Sequence, residues 1–441
     1  MATRKCPYDH GSPEYAANWV AINREAFGNT EGLIHTDAHG GYYVAGRYED
    51  VDWIARDKDS FSQERHEDAD GNPTLGAFIP TTPNKLVPIE TDPPLQAQIR
   101  RALNPAFTIK VAMRWKPVIR QIADTMIDRV IEQGHCDLVK DVTKAIPAIF
   151  NFRVLGVPLN RWEESIDAPG ILHYAPPGSE TYNNALAALE RTRQDVIAAV
   201  EQRRATPRPD LMTVISQMSL DGVPISTDLI VDLVQALVSG GNGTTTGLMS
   251  HSLRYLGEHP EDRAWLQEDP SRIRLAVEEF LRFFSPVQTI ARNAAQPVCV
   301  AGTDLEVGDR VLMSWAAANR DPDVFPDPDK VILDRPQNRH LAFGIGAHHC
   351  IGFNMARVMA ATAIEAIIER LPDYEIQEEG VVAFEHIPVV HGLRSLPVTF
   401  TPGEKIGAEI PPESEDPELP QSVLDAIAEA AAENNRVQAE A

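Results

Sequence analysis

The sequence predicts a mainly α fold with a minor β-rich part. Three observations carry this. Helical apolar spacing runs from about Pro94 to Gln133 and through much of 140–270. Strand-like pieces gather late, at Val298–Val300, Arg310–Met313 and Leu396–Phe400. The composition is that of a folded chain, 43% hydrophobic and 24% charged. At 441 residues the chain can bury a large core, as one large domain or two or three smaller ones.

In chain order, a helical opening leads to the β-like run Gly40–Ala45, and a helix restarts at Arg47–Val51. Residues 66–91, rich in Asp, Gly, Pro and Thr, read as a long loop, a common carrier of function. Ala168-Pro169-Gly170, Pro176-Pro177-Gly178 and Pro207-Arg208-Pro209 read as helix interruptions. Asp228–Arg254 reads as one long helix. The chain divides into a single domain over 1–401 and an acidic Pro/Glu/Ala-rich tail over 402–441. The tail holds ten acidic and two basic side chains, with a helix candidate at Ser422–Val437. It is expected to be a flexible, solvated extension.

The formal charge of −24 argues against nucleic-acid binding, which needs a basic face. No apolar run reaches the roughly 20 residues of a membrane span. The opening MATRKCPYDHGSPEY lacks the apolar stretch of a secretion signal. The expectation is a soluble, cytoplasmic protein without a membrane anchor. Cys6, Cys136, Cys299 and Cys350 are too few and scattered for a disulfide framework, and an iron–sulfur centre would use all four and leave none for anything else.

One of these thiols stands apart. Residues 340–357 place Phe343, Gly344, Gly346, His348 and Gly352 around Cys350. Glycines allow backbone conformations closed to other residues, so such a loop can aim several N–H groups at one sulfur. Those donors, with a helix beginning after Cys350, favour a thiolate. The alternative is a buried structural cysteine in a glycine-rich turn. A lone cysteine would fit it; the ordered set Phe-Gly-x-Gly-x-His-x-Cys-x-Gly resembles instead the haem-binding loop of the cytochrome P-450 monooxygenases.

The resemblance extends over roughly residues 10–400. It implies one triangular haem-thiolate domain with heme b (iron protoporphyrin IX) as cofactor and Cys350 as the ligand of its iron. Glu279 and Arg282, three apart on one helical face, resemble the family's Glu-x-x-Arg helix, and Arg335 the third member of that structural network. Spacing alone is weak, since Glu190…Arg193 and Glu201…Arg204 share it; the apolar setting of Glu279 distinguishes it. Arg100, Arg292 and His348 match propionate partners. Gln96 stands where the family usually has histidine.

The segment Gly240-Gly241-Asn242-Gly243-Thr244 resembles the family's oxygen-activating helix. Glycine permits close approach of a ring, so Gly240 and Gly241 are assigned to the cofactor. The acid that normally precedes the threonine is replaced by Gly243. Thr244 remains, with Asn242 or ordered water as substitutes in proton delivery. A non-hydroxylation reaction, or a non-catalytic haem-binding ligand sensor, is the alternative this departure opens. A peroxide-using branch would carry arginine in this helix; none lies between Asp228 and Ser250.

The implied reaction is insertion of one oxygen atom from O2 into a small or medium hydrophobic substrate. Reducing equivalents come ultimately from NAD(P)H through a separate ferredoxin and ferredoxin reductase, since the chain shows no flavin or cluster region. Arg101, Arg114, Lys116 and Arg357 are the candidate docking face for the donor. The pocket is expected to be lined by Phe78 and Ile79, a lid over 168–182, Val234 and Val238, Val287 and Thr289, and Val389.

Overall fold

Helix starts are written into the sequence as oxygen-bearing caps. Ser12, Ser179, Asp210 and Ser226 each accept a hydrogen bond from an N–H two or three residues into the helix that follows. The computed structural model describes residues 8–28, 32–82, 85–174, 178–220 and 222–439. Its helices, in order, are α1 (Pro13–Phe27), α2 (Tyr48–Arg56), α3 (Leu95–Leu103), α4 (Ile109–Asp128), α5 (Ala145–Leu155), α6 (Trp162–Tyr174) and α7 (Glu180–Ala205). They continue as α8 (Leu211–Ser216), α9 (Thr227–Glu258), α10 (Pro260–Glu268), α11 (Ile273–Phe284), α12 (Trp315–Ala318), α13 (Phe353–Arg370) and α14 (Gln421–Ala439).

The long α9 is the axis of the molecule: α5, α11 and α13 pack on it, and α13 also lies along α4. Their apolar faces make one cluster running in sequence from Val87 to Val423. A five-stranded sheet has the order Ile34–Thr36, Tyr42–Ala45, Arg310–Ser314, Thr289–Ala294, Phe61–Ser62. Only the pair Tyr42–Ala45 and Arg310–Ser314 is parallel. Two smaller apolar clusters lie between this sheet and α1, α2 and α12.

The mainly α architecture agrees with the pattern of the sequence, and two local expectations do not. The interruption at 168–170 lies inside α6, which continues to Tyr174. The break at Pro176-Pro177 lies outside the described residues. The tail is not a solvated extension over its described length. Arg153 in α5, its side chain 1% exposed, pairs with Asp416 and donates to the carbonyls of Pro411 and Pro412. The N–H groups of Ile406 and Ala408 donate to Asp128, and the Leu419 N–H donates to the Pro209 carbonyl. Leu419 and Val423 are buried, and α14 packs on α3. The acidic character that suggested solvation supplies the counter-charge for a buried arginine of the body.

Candidate functional site

The site is built where the sheet, α3 and the cysteine loop meet. Gly346 has φ +76°, and a Cβ there would lie 2.6 Å from the Ala55 carbonyl oxygen. Only glycine lets the loop run this close to the end of α2. Gly344 has φ +64°. The two turns fold the loop so that the Cys350 N–H donates to the Phe343 carbonyl at 2.8 Å. Cys350 then lies two residues before Gly352, the N-cap of α13, whose N–H donates toward the sulfur.

Burial raises the Cys350 thiol pKa, outweighing the Gly352 N–H and the cations Arg100 and Arg357, which lower it. This corrects the expectation that the loop by itself favours thiolate: the donors are present, but desolvation is larger. A metal ion would reverse the balance, because a coordinating thiol is deprotonated. Among the described residues no three His, Cys, Asp or Glu side chains gather around a metal. One thiolate therefore needs a group that brings its own ligands.

Around Cys350 the structure collects Arg100 (α3), Arg292 (the Thr289–Ala294 strand) and His348 (the loop). Arg292 is 4% exposed, its Nε has no partner, and its one bond is a 3.3 Å contact from Nη2 to the Ala55 carbonyl. Burial lowers its pKa to about 10, and Asp92 opposes this without forming an ion pair. Arg100 is pushed down by burial, with Cys350 opposing. His348 is pushed to about 3 by burial first, then by Arg292 and Arg100. Two guanidiniums, Arg292 buried and Arg100 half-buried, and a half-buried neutral imidazole thus lie together with no carboxylate partner. Buried charges are ordinarily paired, so this cluster fits a ligand that brings its own anionic groups, as haem does with two propionates.

Gln96 is otherwise engaged: its Nε2 donates to the Ala347 carbonyl at 2.6 Å, tying α3 to the cysteine loop. Phe343 stacks under the Arg357 guanidinium, 4.6 Å from the ring centroid.

The structural network is complete and larger than the sequence showed. Glu279 receives Arg282 at 2.7 and 2.9 Å and Arg335 at 3.0 and 3.2 Å. The Ile332 N–H and the Asn338 amide add two more donors. Glu278, unnoticed in the sequence, binds Arg357 at 2.6 and 2.8 Å and His340 at 3.1 Å. Its pKa falls to about 2: burial raises it, and the His340 and Arg357 hydrogen bonds override that. Arg357 and Lys116, expected on a docking face, are therefore ion-paired, Lys116 with Glu365 at 3.3 Å.

On α9 the Thr244 hydroxyl donates to the Gly240 carbonyl at 2.6 Å. Asn242 is buried and its Oδ1 has no partner, as is the case for Thr246 Oγ1. A Cβ on Gly240 would meet nothing within 4 Å, whereas one on Gly241 would lie 2.7 Å from the Asn151 amide nitrogen. Gly241 thus serves the packing of α5 on α9, and Gly240 is the open glycine. A Cβ on Gly243 would sit 3.8 Å from Val390 Cγ1.

The residues expected in the pocket pack as follows. Val234 and Val238 belong to the main core, and Ile79 to the cluster around Tyr8, Tyr15 and Tyr42. Helical phase explains the valines: the open face of α9 holds Ser239 and Gly240, turned away from both. The strap 388–390 does lie against α9. The Gln288 N–H donates to the Val389 carbonyl at 2.7 Å, Thr289 Oγ1 donates to the Pro388 carbonyl, and Val287 bridges Val390. Phe78 is 7% exposed, next to Ala77, whose carbonyl accepts from the Ala291 N–H. The lid region is described in part, residues 175–177 lying outside.

A mostly helical body around one long glycine-bearing helix, with a half-buried cysteine in a glycine-rich loop beside unpaired arginines, is the arrangement of the haem-thiolate class. The family profile named Cytochrome P450 matches residues 159–382. A steroid C26-monooxygenase of Mycobacterium tuberculosis (strain CDC 1551 / Oshkosh) is 32% identical over 351 residues, 77% of this chain and 94% of that protein. The steroid C26-monooxygenase of Mycolicibacterium smegmatis is 29% identical over 405 residues, 90% of this chain and 95% of that one. The crystal structure of CYP109E1 from Bacillus megaterium in complex with corticosterone superposes with a TM-score of 0.76 at 25% identity, covering 88% of this chain and 100% of that one. The chain belongs to the cytochrome P450 family, and it is a haem-iron monooxygenase. Among the described residues no helix is long and apolar enough to cross a membrane.

Proposed function

We propose that the protein binds heme b through Cys350 and inserts one oxygen atom from O2 into a hydrophobic substrate, drawing electrons from NAD(P)H through a ferredoxin and its reductase. The observation that carries this is the cysteine loop set among three donors without a carboxylate partner, buried Arg292 and half-buried Arg100 and His348. Cys350 would hold the haem iron as thiolate, and the two arginines and His348 would hold the propionates. The haem supplies O2 activation and transfer of the oxygen atom. The protein supplies position, dryness and protons.

Protons are where this chain departs from its relatives. Gly243 has none to give, and the single Thr244 proton is engaged by the Gly240 carbonyl. As a hydroxyl, Thr244 can still accept from water. Asn242 Oδ1 and Thr246 Oγ1 also lack partners, but both are buried and lie about 160° around α9 from Thr244, which leaves water at Thr244 itself. Relay through water is therefore the route these side chains favour. Gly243 is also the one feature that favours a second reading, a haem-binding ligand sensor without turnover.

Names of the relatives direct the substrate screen to steroid-sized apolar skeletons. The exposed apolar pair Ile109 and Met113 on α4, next to exposed Arg114, is the surface left for the electron donor once Lys116 and Arg357 are ion-paired. The test is product formation from such a skeleton with ferredoxin, reductase, NAD(P)H and O2. Steady product supports the monooxygenase. Ligand-induced spectral change without product supports the sensor.

A further inference from the structure

The tail helix α14 has no part in the monooxygenase reading, yet it is built to pack. Its apolar side chains recur at Val423, Ile427 and Ala430, the i, i+4, i+7 spacing of one helical face. Val423 and Ala430 are buried, and Ile427 packs half-buried against the main core. Asp425 and Glu429 are exposed on the other side.

The elements under that face are the ones that hold the cysteine loop. α14 packs on α3 and on the turn Asn104–Phe107 that follows it. Gln96 of α3, 2% exposed, donates from Nε2 to the Ala347 carbonyl at 2.6 Å. The Phe107 carbonyl accepts from Asn354 Nδ2 at 3.0 Å. Ala347 lies three residues before Cys350, and Asn354 four after it. The loop is therefore tied on both flanks of its cysteine, and each tie ends on an element that α14 packs on. The ties span 251 and 247 residues of sequence, so neither belongs to the loop's own turns.

We infer that α14 is a brace for the haem-thiolate loop, acting through Gln96 and Asn354 as positioning residues that fix Ala347, Asn354 and so Cys350 between them. Burial favours the protonated sulfur, so a loop that drifts from its metal would carry a thiol. Holding the loop in place is thus a control on the thiolate itself. The inference rests on the haem-thiolate reading and adds to it a control of that same site by the tail.

The test is backbone hydrogen exchange in the haem-loaded protein, full-length and ending at Pro420. The shorter chain keeps the Arg153–Asp416 pair and the Leu419 N–H bond to Pro209, so it loses α14 alone. The N–H groups of Gly344, His349 and Cys350 are each bonded within the loop. They should exchange about tenfold faster without α14, the scale of one net hydrogen bond. The strand Thr289–Ala294 should exchange as before. Gln96→Met should speed the same three groups in the full chain and add little in the shortened one, because both changes act on one link. Loop exchange unchanged by loss of α14 would overturn the inference. So would equal acceleration in loop and strand, which would make α14 general support for the fold. Accelerations that simply multiply would overturn it too. If the shortened chain does not fold, Ile427→Ala should show the same pattern at smaller size, and its absence there counts equally against the brace. A full-length chain that takes up no haem would instead strike the reading beneath.

Discussion

Around Glu279, two arginines, an asparagine and a backbone N–H converge on one fully buried carboxylate. Around Cys350, Arg100, Arg292 and His348 converge with no protein carboxylate among them. Each cluster holds two arginines, and Arg282 in the first and Arg292 in the second are both buried. Arg282 also donates to the carbonyls of Asn319, Pro328 and Lys330, so it is saturated; Arg292 makes one long bond. The first cluster is finished by the chain itself and serves the fold. The second is finished only by a ligand. Buried guanidinium is therefore not diagnostic, and the accounting of its partners is.

The sharpest break of this comparison is at Cys350. Cys350→Ala should abolish the long-wavelength absorption of the reduced carbonyl complex, a thiolate signature, while Cys136→Ser and Cys299→Ser keep it. An unchanged spectrum in Cys350→Ala would remove the sulfur from the site. Next in size, Glu279→Ala leaves two buried arginines without a counter-charge. Breaking a buried pair costs about 3–5 kcal/mol. Denaturant unfolding of this variant should show that loss, or no folded protein at all.

Deletion of 402–441 should cost about 3 kcal/mol, because Arg153 then stays buried without Asp416. Thermal unfolding of the truncated chain decides; an unchanged midpoint would return the tail to a mere extension. Arg292→Leu tests the other half. Without haem, stability should hold or rise, since a buried charge with almost no partners is removed. With haem, loss to a competing apoprotein should be faster by about tenfold, the low end for hydrogen bonds to a charged group. A variant equally unstable with and without haem would make Arg292 a structural arginine like Arg282.

The sequence made the cysteine loop legible because its signal is local: Gly344, Gly346 and Gly352 lie within nine residues, and their backbone needs follow from the chain path. Glu279 was harder. Its i, i+3 spacing recurs at Glu190…Arg193, where Arg193 binds Asp228 and Glu190 binds Gln194 instead. The pocket wall is less legible, because a helix's apolar residues mark its core side: Val234 and Val238 belong to the interior cluster. The tail was misjudged because Arg153 and Asp416 lie 263 residues apart, a pairing that no local pattern carries.

The smallest effect expected, and the one that bears on chemistry, is at Gly243. The resemblance of this segment to the family's oxygen-activating helix implies an acid beside the threonine that helps move protons. Here the next wall is Val390, and a Cβ would lie 3.8 Å from it, an ordinary contact. A Cβ can therefore enter without moving the strap, and the change from glycine favours the helix slightly. Gly243→Asp should raise product formed per NAD(P)H consumed by a few-fold, below the roughly 10²–10⁴-fold of fully positioned proton transfer, because water already relays. Thr244→Ala should lower the same ratio, since it removes the hydroxyl that steadies that water. The measurement is coupling with a tightly bound substrate, haem content held equal. If Gly243→Asp lowers coupling while haem and substrate still bind, the glycine is making room for the relay. The open face of α9 would then be shaped for protons as well as for substrate, and introducing the acid would obstruct both.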